Sequence, residues 1–269
     1  MEDELSFLDF AAGMGTISAP RPVPNRDGHL VTAIATPQGE RLACLFQWVA
    51  GERSSRQLSP AVLGQCGRIT AHLHKIGRAF PFPSEDNGFR AAFRAAFRAD
   101  YRYDQTLALS HREWMAEHQA EIGPENEALL HRAIDFVVDG MDRVGQSRAT
   151  YGIIHADLHF GNFLVHNGQV SLIDFDQLGR GHYCYDISTL LVELYDDPET
   201  QPVYWQAFKA GYAEVTPLPF SDDAELDPFI VAVGLAFLDW VYNAPNPQVR
   251  EEKMRWVPGV YDYIRARVG

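Results

Sequence analysis

The sequence predicts an α+β fold in which most of the chain is helical and a β-hairpin lies near its middle. Asn167-Gly168 separates two mainly apolar stretches, Phe163–His166 and Gln169–Ile173. An Asn-Gly pair between such stretches favours a tight hairpin, because both turn positions need a positive φ. Apolar residues at helical spacing predict amphipathic helices that begin after Ser59 and at Pro124.

Polar side chains flank this hairpin in an order that suggests phosphate chemistry. A strand predicted over Tyr151–Ile154 leads into a loop with His155, Asp157 and Asn162, and Asp174 follows the hairpin directly. Because a tight hairpin brings its ends together, the Asn162 side-chain amide and the Asp174 carboxylate should lie side by side. Mg²⁺ prefers such oxygen ligands, with phosphates and water completing its coordination shell. The Asp157 carboxylate stays free to accept a proton from a hydroxyl. The pattern favours phosphoryl transfer; the alternative is a hairpin whose Asp and Asn residues only serve turns.

Three motifs follow one another here: His155-x-Asp157-x4-Asn162, Ile173-Asp174-Phe175-Asp176 and Tyr185-Asp186-Ile187. Together they resemble the aminoglycoside phosphotransferase branch of the protein-kinase-like superfamily, which includes homoserine and choline kinases and a bacterial stress-response kinase. The resemblance implies a kinase-like fold, with Asp157 as catalytic base and with Asn162 and Asp174 as Mg²⁺ ligands. It also implies that His155 braces the loop and that Asp186 anchors the loop backbone.

The N-terminal residues extend the resemblance. Glu2–Met14 is a predicted short helix, and Leu30–Thr36 and Arg41–Val49 form a predicted antiparallel hairpin. These elements are similar to part of a kinase N-lobe, so residues 1–50 are predicted to form a partial β-rich lobe and residues 51–269 a helical lobe. By resemblance, the connection at about 47–51 is a hinge, and Glu4 is the helix glutamate that normally pairs with a strand lysine. The residues expected to bind the nucleotide, ATP or GTP, are Gln47, Trp48, Val49, Leu164 and Ile173.

The lysines depart from the family pattern. A family N-lobe begins with further strands, a phosphate-covering loop and a strand lysine, whereas the lysines here are Lys75, Lys209 and Lys253. Either the chain starts downstream of the true start or it is a trimmed member of the family. The favoured function is phosphorylation of a hydroxyl on a small molecule. The alternatives are a protein serine/threonine kinase of the same family and a non-catalytic, kinase-like protein.

Composition narrows the partners and the compartment. The net charge of −13 argues against nucleic acid and anionic membranes as main partners. Cys44, Cys66 and Cys184 show no metal or redox spacing, and the acidic N-terminus lacks the basic segment of a signal peptide. We therefore expect a cytoplasmic protein with reduced cysteines. The oligomeric state stays open.

Glycines, a proline and an aromatic repeat give further structural predictions. Gly77 is expected to cap the helix that begins after Ser59, Gly179-Arg180-Gly181 to form a flexible loop, and Pro258 to break or kink a helix over Gln248–Val268. Aromatic residues recur at four-residue spacing and are expected to be core positions on a helix: Phe89, Phe93, Phe97 and Tyr101.

Overall fold

The computed structural model of the protein describes residues 2–80, 101–196 and 199–269. The predicted aromatic repeat at Phe89, Phe93 and Phe97 lies outside these residues. The helices are α1 Glu2–Met14, α2 Pro60–Ala79, α3 Gln105–Glu117, α4 Gln119–Ile122, α5 Pro124–Val144, α6 Tyr183–Glu193, α7 Gln201–Ala213, α8 Asp227–Tyr242, α9 Pro247–Met254 and α10 Val257–Val268. The predicted α+β class is confirmed.

The strands are short and form small sheets. They are β1 Pro22–Val23, β2 Thr32–Thr36, β3 Gly39–Ala43, β4 Leu45–Phe46, β5 Glu52–Arg53, β6 Arg102–Tyr103, β7 Tyr151–Ile154, β8 Phe163–His166, β9 Gln169–Leu172 and β10 Gly179–His182. The strand orders are β1-β4, β2-β3, β6-β10-β7 and β5-β8-β9. Both predicted hairpins are present, but the second strand of the N-terminal one ends at Ala43, and Leu45–Phe46 pairs instead with Pro22–Val23.

Helix α2 begins as the sequence predicts and ends later. The Ser59 hydroxyl accepts a hydrogen bond from the Val62 N–H, and Pro60 occupies the first turn, where its missing N–H costs nothing. Gly77 does not cap the helix, which continues to Ala79. A Cβ at position 77 would lie 2.3 Å from the Ile153 carbonyl oxygen, so this glycine lets α2 pack directly on β7.

The expectation of a flexible loop at Gly179–Gly181 is wrong. These residues belong to β10, which pairs antiparallel with β7 and parallel with β6. A Cβ at position 181 would lie 2.5 Å from Ile154 Cδ1 and 2.7 Å from Tyr103 Cβ. The glycines therefore make room for neighbouring side chains in a central strand; they do not mark a break between elements.

The core lies between the β8–β9 hairpin and the helices. It includes residues of α2, α5, α6, α7 and α8, and Phe7 of α1 joins it from the N-terminal side. The predicted break at Pro258 is confirmed, since α9 ends at Met254 and the proline occupies the first turn of α10. Cys66 and Cys184 are buried thiols, and Cys44 is half-buried. Within the described ranges, the helices are too short or too polar to cross a bilayer.

Candidate active site

The loop between β7 and β8 is anchored by a buried carboxylate. Asp186 of α6 accepts hydrogen bonds from the backbone N–H of His155 (3.0 Å) and of Ala156 (2.6 Å), and its side chain is fully buried. Ala156 has φ = 67°, a left-handed conformation that costs energy in any residue with a Cβ. The two charge-assisted bonds hold the loop in this strained shape.

His74 orients Asp186, and Tyr212 in turn orients His74. His74 Nε2 lies 3.1 Å from Asp186 Oδ2, and His74 Nδ1 lies 2.8 Å from the Tyr212 hydroxyl. The carboxylate can only accept, so the Nε2 proton faces it and the tyrosine hydroxyl donates to Nδ1. Burial lowers the pKa of His74, although Asp186 opposes the effect, so the imidazole acts here as a neutral donor.

Asp157 is held beside Asn162. The Asn162 side-chain Nδ2 donates to the Asp157 carbonyl oxygen (2.9 Å) and to Asp157 Oδ2 (3.0 Å). Burial works to raise the pKa of Asp157, but the combined effect of His159, His155 and Asn162 is larger, so the pKa is lowered. The carboxylate is therefore ionised at neutral pH, as a general base must be.

His159 lies on the outer side of the same carboxylate. Its Nε2 is 3.5 Å from Asp157 Oδ2, and its Nδ1 accepts the Gly161 N–H at 3.0 Å. Asp157 raises the pKa of this imidazole against the opposing effect of burial, and Glu193 adds to the increase. The Phe160 N–H donates to Glu193, which ties the end of α6 to the loop.

The hairpin brings Asn162 and Asp174 together, as predicted. Phe163 pairs with Leu172, and one step beyond this pair the Ile173 N–H donates to the Asn162 carbonyl at 3.0 Å. Asp174 comes next, exposed and left-handed with φ = 67°. His155 also contacts this end of the hairpin, since its Nε2 donates to the Ile173 carbonyl at 3.0 Å.

The donor set at this point fits a hard divalent cation. The Asn162 amide nitrogen is used by Asp157, which leaves Oδ1 as the atom that could bind a metal. Asp174 is exposed and directly follows Ile173, whose N–H bonds the Asn162 carbonyl. In the described part of the chain, no group of three or more His, Cys, Asp or Glu residues could hold a metal. Two oxygen ligands completed by phosphate and water are the arrangement that Mg²⁺ commonly adopts.

Glu4 faces this acidic end of the hairpin. Its pKa is raised, first by burial and then by the Asp176 and Asp174 carboxylates. Helix α1 is fixed there by Phe7, whose ring centroid lies 6.2 Å from that of Phe175 and 5.4 Å from that of Phe80. The predicted supporting role of Glu4 stays a prediction.

The residues predicted to bind nucleotide lie along the connection to β5 and on the hairpin. A Cβ at Gly51 would lie 2.9 Å from Leu164 Cβ, so the end of the connection packs against β8. Val49, Leu164 and Ile173 are half-buried, whereas the Trp48 side chain is 90% exposed. The Gln47 N–H already donates to the Arg21 carbonyl at 2.8 Å. Backbone N–H groups after Gln47 are therefore the ones in this connection that could donate to the nucleobase.

Several residues of the site were missed from the sequence. His74 contacts Asp186 across 112 positions of the chain. The sequence predictions give no role in the site to His74, Tyr212, His159 or Glu193. His74 and Tyr212 gave no local signal, because their partner is determined by tertiary packing. His159, inside the loop motif, could have been found from its spacing to Asp157.

Comparisons with known proteins identify the class of the fold. A solved structure of a microcompartment-associated aminopropanol kinase superposes with a TM-score of 0.71 at 25% identity, covering 97% of this chain and 79% of that one. An amicoumacin kinase solved with AMP-PNP and Ca²⁺ gives a TM-score of 0.67 at 19% identity, covering 98% and 77%. The fold is therefore kinase-like. The family model described as "Phosphotransferase enzyme family" matches residues 1–218, and the chain belongs to this family.

Curated relatives support the assignment over most of this chain. The amicoumacin kinase of Bacillus subtilis (strain 168) is 25% identical over 241 residues, which cover 85% of this chain and 62% of that protein. A homoserine kinase of Neisseria meningitidis serogroup B is 28% identical over 236 residues, covering 83% and 66%. The chain thus spans less than two thirds of the length of either relative.

Proposed function

We propose that this protein transfers the γ-phosphate of a nucleoside triphosphate to a hydroxyl group of a small molecule. The observation that carries the proposal is the contact between Asn162 and the proposed base: one amide nitrogen bonds both the carbonyl and the carboxylate of Asp157. This contact fixes the base and leaves the amide oxygen free, so the proposed proton acceptor and the two proposed cation ligands share one short loop and hairpin.

Each residue then has a distinct task. Asp157 accepts the proton of the acceptor hydroxyl as that oxygen attacks the terminal phosphorus, the bond from this phosphorus to the bridging oxygen breaks, and the nucleoside diphosphate leaves. The lowered pKa of Asp157 keeps its carboxylate ionised for this task. Asn162 and Asp174 would hold the divalent cation, Mg²⁺ by its preference for such ligands. When bound, the cation neutralises charge on the phosphates. Asp186 and His155 hold the loop backbone so that these groups need not reorganise during the reaction.

The nucleotide is proposed to bind along the connection before β5, with Val49, Leu164 and Ile173 as apolar contacts. ATP is the favoured donor, because the amicoumacin kinase structure contains its analogue AMP-PNP. The named acceptors of relatives, aminopropanol and homoserine, suggest a small alcohol that also carries an amino group. The net charge of −13 is compatible with such a cationic acceptor.

The test is acceptor-dependent release of ADP by the whole protein in the presence of Mg²⁺ and ATP. A panel of amino alcohols that includes 1-amino-2-propanol and homoserine is compared with the matched amines that lack the hydroxyl. Asp157→Asn should lower turnover by about 10²–10⁴-fold, the usual contribution of a general base, with ATP affinity nearly unchanged. Asp139→Asn, an exposed change on α5, serves as the control. A loss of less than tenfold for Asp157→Asn would contradict the base assignment.

A further inference from the structure

His159 lies against the proposed base, in space that the backbone at Gly161 leaves free. A Cβ at position 161 would lie 2.4 Å from His159 Cε1 and 2.7 Å from Nδ1, so the ring occupies space that only glycine leaves free. The Gly161 N–H donates to Nδ1 at 3.0 Å. Because Nδ1 accepts this bond, the proton of the neutral ring lies on Nε2, the nitrogen nearest to Asp157.

The two donors around Asp157 converge on one oxygen. Asn162 Nδ2 lies 3.0 Å from Oδ2, and His159 Nε2 lies 3.5 Å from the same atom. The Asp157 and His159 side chains are each 39% exposed, so the pair lies at the protein surface. With Oδ2 occupied from two sides, rotation of the carboxylate is restricted and Oδ1 is the oxygen that remains for an acceptor hydroxyl.

We propose that His159 is a positioning residue that, together with Asn162, holds Oδ2 of Asp157 and so directs Oδ1 toward the acceptor hydroxyl. The inference rests on the proposed function. Its physical basis is that a base in a fixed orientation contributes more to the rate than a freely rotating one, because proton transfer requires a short and aligned contact. His159 itself needs no contact with nucleotide or acceptor for this task.

The kinetic test compares two variants of the whole protein. His159→Leu removes the polar contact with Oδ2 and should lower kcat by about 2- to 10-fold, the effect of losing a partly exposed contact with a charged group, with the KM for ATP almost unchanged. His159→Gln retains an N–H donor of similar reach and should recover a clear part of the loss. Full activity in the leucine variant, or equal loss in both variants, would overturn the proposal.

Gly161→Ala provides a second kinetic test, because the new methyl group should displace the ring while the backbone keeps its conformation. It should lower kcat in the wild-type protein and have little further effect in the His159→Leu background, since the ring is already absent there. An equal loss in both backgrounds would mean that position 161 acts through Asn162, and it would overturn the role of the ring.

A measurement that does not depend on turnover separates this inference from the proposed function. Long-range ¹H–¹⁵N spectra of histidine-labelled protein at alkaline pH should show the Nε2–H tautomer for His159, assigned by its loss in His159→Leu. Asp157→Asn should shift that Nε2 resonance. The opposite tautomer, or no shift, would refute the positioning role. Absence of phosphotransfer in the wild-type protein would instead refute the proposed function, and the spectra would still decide the role of His159.

Discussion

Replacement of Asp186 by alanine tests whether the active-site loop depends on its buried anchor. The side chain is fully buried and receives three donors: the N–H groups of His155 and Ala156 at 3.0 and 2.6 Å, and His74 Nε2 at 3.1 Å. Alanine removes the acceptor from all three at once. It also removes the bond that opposes relaxation of Ala156, whose φ of 67° is costly without support.

The expected loss follows from these contacts. An unpaired buried donor costs about 1–3 kcal/mol of the free energy of unfolding. Three such donors would cost more, but water that enters the vacated space would pair with some of them and reduce the loss. Removal of a buried charge also relieves its desolvation penalty. Since His74 is neutral and no uncompensated charge is left behind, we expect a net decrease of about 1–3 kcal/mol in the free energy of unfolding. Asp186→Asn retains one acceptor oxygen and should give an intermediate loss.

Urea unfolding followed by tryptophan fluorescence measures the effect. Ser188→Ala on the same helix is the matched control, because Ser188 is also fully buried and its hydroxyl has no hydrogen-bond partner within the described residues. This control should be neutral or slightly stabilising, since it removes an unpaired polar atom. If Asp186→Ala were no more destabilising than Ser188→Ala, the carboxylate would not anchor the loop.

Three further predictions follow from the charges of the chain. Asp174→Ala should weaken ATP binding more with Mg²⁺ than without it, and equal losses in paired calorimetric titrations would make Asp174 structural. His182 is buried, which lowers its pKa from 6.5 to about 4 despite Asp104. The unfolded chain therefore binds its proton first as pH falls, so stability should decrease from about pH 6.5 toward pH 4. His182→Phe should flatten this part of a urea-midpoint profile, and an unchanged slope would contradict the assignment. The protein should bind ATP weakly and turn over slowly, because none of its lysines lies in strands β1 to β5 and a cationic clamp on phosphate is a large catalytic factor. Micromolar affinity with ordinary turnover would refute this expectation.

The β8–β9 hairpin could be predicted because its determinants are local. Asn167 and Gly168 adopt φ values of 49° and 75°, as the turn requires, and the register Phe163↔Leu172 follows from the turn position. The same register continues to Asn162 and Ile173, so Asp174 comes one residue beyond the position opposite Asn162. Local sequence therefore contains both the structure and the proposed chemistry of this segment.

Strand β10 and the anchor network could not be predicted in the same way. The glycines of Gly179–His182 resembled a loop, since sequence alone does not reveal that Tyr103 and Ile154 would fill the space above them. His74 meets Asp186 across 112 positions of the chain, and Pro22–Val23 pairs with Leu45–Phe46 across an intervening hairpin. Such contacts depend on how helices and strands pack, and a periodic pattern in one segment does not contain that information.

The two strained residues of the site are held in place by neighbouring groups of the fold. Ala156 and Asp174 are both left-handed with φ = 67°, and strain of this kind costs about 1–3 kcal/mol per residue unless the surroundings enforce it. The enforcing groups are Asp186 for the first and the His155–Ile173 bond with the hairpin for the second. All of them lie in residues 51–269. The loop should therefore keep its geometry when nucleotide contacts from the N-terminal residues are weakened, so loss of those contacts should reduce affinity for ATP more than it disturbs the placement of Asp157.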